Sequence, residues 1–204
     1  MLPRLYAIID AACIGDRAPA EVAATLLGAG VALIQYRDKH RSSREMYQDC
    51  LVIEEQVRRS GGVFIVNDRA DIARAVKAHG VHLGQDDLPV QLVRRVLGPG
   101  KWIGYSTHNL EQVREASESS ADYIAFGPIF PTGSKNHADP VVGLAGLVEA
   151  RKATRRPLVA IGGITVENAR SVIEAGADSV AVISGLLKAP DLASRARDLL
   201  RVLA

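Results

Sequence analysis

Aromatic residues make up only 4% of this 204-residue chain, so its core has to be built from small aliphatic side chains, which suit tightly packed strands and helices. Cysteine is scarcer still. Cys13 and Cys50 lack metal-ligand spacing and are too few for a disulfide framework, so reduced structural thiols in a cytoplasmic protein are expected. No basic run with interleaved aromatics occurs, and the formal net charge is only +2, which argues against nucleic acid as the main partner. No apolar stretch approaches the roughly 18 residues of a membrane span. No basic segment precedes the opening apolar run Leu5-Tyr6-Ala7-Ile8-Ile9, so a soluble, unexported protein is the expectation. Linkers, low-complexity segments and composition shifts are missing too, which makes residues 1–204 most simply one domain.

What is present is alternation. Short aliphatic runs begin at Leu5, Leu33, Val63, Val81, Trp102, Tyr123, Leu158 and Ser179. Amphipathic candidates separate them, over Pro19 to Leu27, Arg44 to Arg59, Leu92 to Leu97, Glu111 to Glu118, Leu144 to Lys152, Glu167 to Glu174 and Leu192 to Leu203. Strict β/α alternation implies parallel strands, and continuous apolar strands imply burial on both faces. Eight such units predict an α/β fold, a single (β/α)₈ TIM barrel, rather than a doubly wound sheet. Glycines at Gly28-Ala29-Gly30, Ala78-His79-Gly80 and Ala175-Gly176-Ala177 read as left-handed helix ends feeding the next strand.

Barrels of this kind carry their chemistry at the C-terminal strand ends, so residues after each run are read as one surface. Gln35, Arg37 and Lys39 follow the second strand. Alternation puts them on one side of an extended segment, where an amide, a guanidinium fork and an ammonium can converge on a diphosphate; an ordinary solvated loop has the same composition. Asn67-Asp68-Arg69, Gly84-Gln85-Asp86-Asp87 and Ser106-Thr107-His108 follow the third, fourth and fifth strands. Asp68 and Asp87 on neighbouring strand ends suit a hard cation such as Mg²⁺ held between carboxylates and ligand phosphates, whereas each alone reads as a helix cap. Gly162-Gly163 and Ile183-Ser184-Gly185 end the last two strands, where barrels commonly bind phosphate. The irregular stretch from Pro131 to Val142 has the composition of an active-site loop or of a tolerated insertion. His82 reads as a core histidine, and His108 as either a general base or a helix-start residue. His40, His79 and His137 show no metal spacing.

In this order the motifs resemble the thiamine-phosphate synthase family. They include Gln-x-Arg-x-Lys at 35 to 39, Val66-Asn67-Asp68-Arg69, Gly80-Val81-His82-Leu83-Gly84-Gln85-Asp86-Asp87, Ile103-Gly104-Tyr105-Ser106-Thr107-His108, the segment from Phe126 to Lys135, Ala160-Ile161-Gly162-Gly163-Ile164 and Ala181-Val182-Ile183-Ser184. The resemblance implies a magnesium-dependent transferase that joins aminohydroxymethylpyrimidine diphosphate to a thiazole phosphate. It carries pyrimidine diphosphate binding onto Gln35, Tyr36, Arg37, Asp38, Lys39, Asn67, Ser106 and Lys135, with Arg37 and Lys135 catalytic. It carries Mg²⁺ onto Asp68 and Asp87, and the thiazole phosphate onto Thr132, Gly133, Ser134, Gly163, Ile183 and Ser184. Tyr36, Asp38 and Ser134 depart from the leucine, glutamate and threonine usual there. A thiazole tautomerase of the same superfamily and a non-catalytic thiamine-phosphate binder are the rival readings. Small-molecule substrates are the expected partners, and homo-oligomerisation stays open.

Overall fold

The structure, a computed structural model, describes residues 2–133 and 139–204. Eight parallel strands close into a barrel in chain order, with the last pairing back onto the first through Leu5↔Val180 and Tyr6↔Ala181. They are β1 (Leu5–Asp10), β2 (Leu33–Arg37), β3 (Val63–Asn67), β4 (Gly80–Leu83), β5 (Trp102–Thr107), β6 (Tyr123–Phe126), β7 (Leu158–Ile161) and β8 (Ser179–Val182). Helices α1 (Pro19–Gly28), α2 (Ser43–Ser60), α3 (Ala70–Ala75), α4 (Val90–Leu97), α5 (Leu110–Glu118), α6 (Gly143–Ala153), α7 (Ala169–Glu174), α8 (Ser184–Leu187) and α9 (Leu192–Leu203) complete the units. The eight expected strands are all there. Two helices escaped the sequence reading, α3 and α8, of six and four residues.

Period-two alternation splits the apolar residues into two cores. Leu5, Ala7 and Ile9 of β1 join the large cluster that packs under the helices, while Tyr6 and Ile8 join Leu33, Ile65, Tyr123 and Val159 in a separate cluster inside the barrel. Helix α2 shows how the outer layer is built. Ser42 and Glu45 form a reciprocal capping box at its start, Gly61 ends it at φ 72°, and Met46, Cys50, Ile53 and Val57 recur at helical spacing on the buried face. Burial pushes the Cys50 thiol up to about 12, which makes it an inert packing residue.

The helix-end glycines need one correction. Gly30 and Gly176 adopt positive φ as expected, but the left-handed residue before β4 is Lys77, at φ 61°. Gly80 belongs to β4 itself, and a Cβ there would lie 2.0 Å from the Trp102 carbonyl oxygen; glycine permits close strand approach at this position.

Candidate active site

A cavity of about 560 Å³ opens at the C-terminal ends of the strands, floored by Ile8, Ala125 and Ala181. Gln35, Arg37 and Lys39 all line it, as alternation along β2 requires. The same alternation removes Tyr36 and Asp38 from the wall. Tyr36 is fully buried on the helix side, and its hydroxyl donates to Asp49 at 2.8 Å. The Asp38 carboxylate folds back to accept from the backbone of His40 at 2.8 Å and of Arg41 at 3.0 Å, closing the turn into α2. Both residues hold the segment in shape from behind.

The cations on the wall are already held by acids. Arg37 donates to Asp10 at 2.5 Å, and Lys39 is bonded to Asp68. Asp10, only 2% exposed at the end of β1, also accepts from the Ala12 backbone at 3.0 Å. It went unnoticed in the sequence, although its place straight after an apolar run was the available signal. A buried carboxylate with two donors fixes the guanidinium in one orientation and leaves the rest of the fork to face the cavity.

Neither Asp68 nor Asp87 caps a helix. The N-cap positions of α3 and α4 are Arg69 and Pro89, without side-chain capping bonds. Asp68 instead stands at φ 61° in a tight turn, where Arg69 N–H donates to the Asn67 carbonyl at 2.7 Å and Asp68 N–H donates to His82 O at 2.8 Å. Positive φ in a non-glycine residue costs energy that the pairing across β3 and β4 has to sustain, and its effect is to turn this carboxylate inward. Asp87 accepts from Gly84 N–H at 2.6 Å. Burial, then its hydrogen bond to Asp68 and the charge of Asp68, raise the Asp87 carboxyl above the ordinary carboxylate range, while the Gly84 bond and Lys39 oppose the shift. Two acids pressed together beside a cationic wall form a donor set that a divalent cation would relieve. No cluster of three or more His, Cys, Asp or Glu is gathered as a metal cage among the described residues. Magnesium commonly needs only one or two carboxylates besides waters and ligand phosphates, so the pair fits it.

Asn67 and Ser106 line the same cavity. His82, expected in the core, is only 8% exposed yet also reaches the wall, where its Nε2 lies 2.8 Å from Ser106 Oγ. His108 has its Nδ1 2.8 Å from the Gly127 carbonyl and 3.3 Å from Asp139, and its backbone N–H donates to Gln112 at 2.7 Å, which serves the helix-start reading. His40 lies in a separate shallow groove beside Arg17 and Glu45. His79 accepts from the Phe64 backbone at 3.2 Å.

The opposite wall is made of backbone. A Cβ at Gly127 would lie 2.1 Å from Ile161 O, at Gly162 2.6 Å from the Pro128 Cα, and at Gly163 2.6 Å from Pro131 O. Gly162 and Gly163 also require φ of +101° and +63°. Gly163, Ile183 and Ser184 line the cavity, and the short α8 starts at Ser184. Thr132 lines it too, whereas Gly133 is exposed outside the lining. Ser134 and Lys135, with His137, lie outside the described residues.

A family model described as thiamine monophosphate synthase matches residues 5–186, a span that includes all eight strands and both walls of the cavity. The chain belongs to the thiamine monophosphate synthase family. Thiamine-phosphate synthase from Koribacter versatilis is 50% identical over 206 residues, covering 99% of this chain and 96% of that protein. The Chloroflexus aurantiacus thiamine-phosphate synthase is 44% identical, with coverages of 96% and 90%. Among solved structures, thiamine phosphate pyrophosphorylase from Pyrococcus furiosus superposes with a TM-score of 0.90 at 35% identity, over 98% of this chain and 95% of that one.

Proposed function

We infer that this protein is a thiamine-phosphate synthase. It transfers the pyrimidinylmethyl group of aminohydroxymethylpyrimidine diphosphate to the ring nitrogen of a thiazole phosphate. The bond from the methylene carbon to the diphosphate oxygen breaks, the pair of electrons leaves with pyrophosphate, and the thiazole nitrogen supplies the new carbon–nitrogen bond. The pyrimidine amino group stabilises positive charge on the methylene carbon, so no protein nucleophile is needed. The chain's task is to neutralise the leaving group and to orient two rings.

The observation that carries this reading is the division of the cavity. Arg37, Lys39, Asn67, Asp68 and Asp87 gather on one side, and the glycines after β6 and β7 with Ser184 on the other. Arg37 and Lys39 bind the diphosphate. Asp10 holds the Arg37 fork in place, and Lys39 is released from Asp68 to the phosphate oxygens. Asp68 and Asp87 would hold Mg²⁺, which would supply further positive charge to the leaving diphosphate. The backbone of Gly163 and the start of α8, together with Thr132 and Ser134, receive the thiazole phosphate. Lys135, outside the described residues, adds a cation to the leaving group. The apolar floor of Ile8, Ala125 and Ala181 keeps water away from the methylene cation.

Free thiols at Cys13 and Cys50 suit a reducing cytoplasm, and no helix among the described residues is long and apolar enough to cross a membrane. The test is pyrophosphate release with both substrates present. The expected result is stoichiometric thiamine phosphate, lost on removing divalent ions and restored by Mg²⁺. Isomerisation of the thiazole phosphate without pyrophosphate release would overturn the assignment in favour of a tautomerase.

A further inference from the structure

The segment from Asp10 to Arg17 leads from β1 towards α1, and β1 stands between β2 and β8 in the closed barrel. It therefore borders both ends of the cavity. On one side Asp10, in register with Arg37, holds that guanidinium at 2.5 Å. On the other side Arg17 reaches the short α8, where its Nη2 donates to the Leu187 carbonyl oxygen at 2.6 Å across 170 residues of chain. Between these two contacts the segment is tied down. Asp10 accepts from Ala12 N–H to start a 3₁₀ turn at Ala11–Cys13, and Ile14 is buried in the outer core. The Ile14 carbonyl accepts from the backbone N–H of Arg17 at 3.4 Å and from its Nε at 3.0 Å. Arg17 thus joins two carbonyls, its own turn and α8, with the planar donor fork that only a guanidinium has.

Helix α8 needs a hold from outside, because four residues make too few backbone bonds to fix their own placement. Leu186 and Leu187 N–H turn back to Ile183 O at 3.1 and 2.8 Å, and Lys188 N–H to Ser184 O at 3.2 Å. No backbone N–H among the described residues is bonded to Leu187 O. Leu187 is only 1% exposed, so removing Arg17 strands a carbonyl in a buried residue, and a cation at the last carbonyl of a helix is also favoured by the helix dipole. In the middle of α8 a Cβ on Gly185 would lie 2.5 Å from Ile164 O, so the helix is pressed onto the backbone that follows Gly163. Arg17 keeps it there. Ile183, Ser184 and Gly185 all line the cavity, and a shift at Leu187 reaches them within about one helical turn.

We propose that Arg17 is a positioning residue for the phosphate of the thiazole substrate, and that the segment from Asp10 to Arg17 is a strut holding the two phosphate-binding ends of the cavity at a fixed span. Arg17 does not line the cavity and acts through α8. The proposal rests on the reaction inferred above and on its placement of the thiazole phosphate beside Gly163 and Ser184. Asp10 keeps its own bond to Arg37 when Arg17 is changed, so the loss falls on one substrate only.

The experiment is steady-state pyrophosphate release by Arg17→Ala and Arg17→Gln, varying each substrate in turn, beside hydrogen exchange of the full chain. Glutamine keeps a polar side chain but is too short to span both carbonyls. In either variant the KM for thiazole phosphate is expected to rise about tenfold. The KM for the pyrimidine diphosphate and kcat at saturation stay within about twofold of wild type, the signature of lost binding rather than lost chemistry. The amides of Leu186, Leu187 and Lys188 should exchange about tenfold faster, and those of β2 at the wild-type rate. An unchanged KM for thiazole phosphate overturns the proposal, and so does an equal rise for both substrates, which is what a merely loosened fold produces. Unchanged exchange in α8 overturns it as well. If wild type releases no pyrophosphate, the reaction assignment falls instead, and exchange together with calorimetric binding of thiazole phosphate still decides the role of Arg17. Should Arg17→Ala fail to fold, as circular dichroism would reveal, the same split is required of Arg17→Gln.

Discussion

The two walls of the cavity are built on opposite principles. From β1 to β5 the rim works through side chains: Arg37, Lys39, Asp68, Asp87 and Ser106 line the cavity, Asp10 holds Arg37, and the backbone carrying them is ordinary apart from Asp68. From β6 to β8 the rim works through missing side chains, because Gly127, Gly162 and Gly163 let backbone approach backbone closer than any Cβ allows. Substitution on the first wall should remove chemistry and leave the fold. On the second wall it should disturb the fold first and chemistry only as a consequence.

The largest effect expected on the side-chain wall is from Lys39→Ala, which removes a positioned cation from the leaving group and should lower turnover by roughly 10²-fold. Melting temperature should scarcely move, because the Lys39 side chain is 46% exposed and its pairing with Asp68 belongs to the weak surface class. A steady-state assay beside a thermal melt checks both halves, and a collapse in stability would break the contrast. Gly127→Ala is the reverse experiment. A new Cβ 2.1 Å from Ile161 O forces strand β7 or its neighbour to shift, which should cost about 3 kcal/mol in urea denaturation. Wild-type stability in that variant would show that the backbone wall is more yielding than its contacts indicate.

A smaller loss, on the order of tenfold in turnover, is expected from Asp10→Asn, which keeps an acceptor for Ala12 but loosens the hold on Arg37. The loss should fall on kcat more than on KM if Asp10 orients the guanidinium for the departing charge. Smallest is the effect of Asp87→Asn on stability, and its sign is the informative part. The folded Asp87 carboxyl is raised by burial and by Asp68, so the protonated form suits the fold, and the stabilisation it gives is lost as pH rises through the raised value. The variant should therefore melt higher than wild type at neutral pH without added metal, with the difference vanishing in acid below the ordinary carboxylate range. Turnover should fall in the same variant, since the stability gained is charge removed from the proposed cation site. A lower melting point at neutral pH would show that the ionised Asp87 carboxylate supports the fold.

Legibility in the sequence follows the same division. Lys39 and the acids at positions 68 and 87 announced themselves because charge directly after an apolar run is a local signal. Asp10 gives that signal too and was passed over beside a longer motif. Tyr36 and Asp38 entered the expected binding set through their place inside the Gln-x-Arg-x-Lys segment, and strand alternation turned them to the other face. His82 was assigned to the core because an apolar strand surrounds it, and only the opening at Gly104 reveals that its ring bridges the interior and the cavity wall.

The order of apolar runs and helical periods by itself determined the eight-fold alternation, the parallel strands and the end of the barrel that carries the polar residues. These are properties of neighbours in the chain, governed by periods of two and 3.6 and by local turn chemistry. Only the tertiary structure decided that Tyr6 meets Tyr123, 117 residues away, that Arg37 is held by Asp10 and that Asp68 stands beside Asp87. Those contacts depend on barrel closure and inter-strand register, and a shift of one residue in either would turn every one of these side chains to the opposite face.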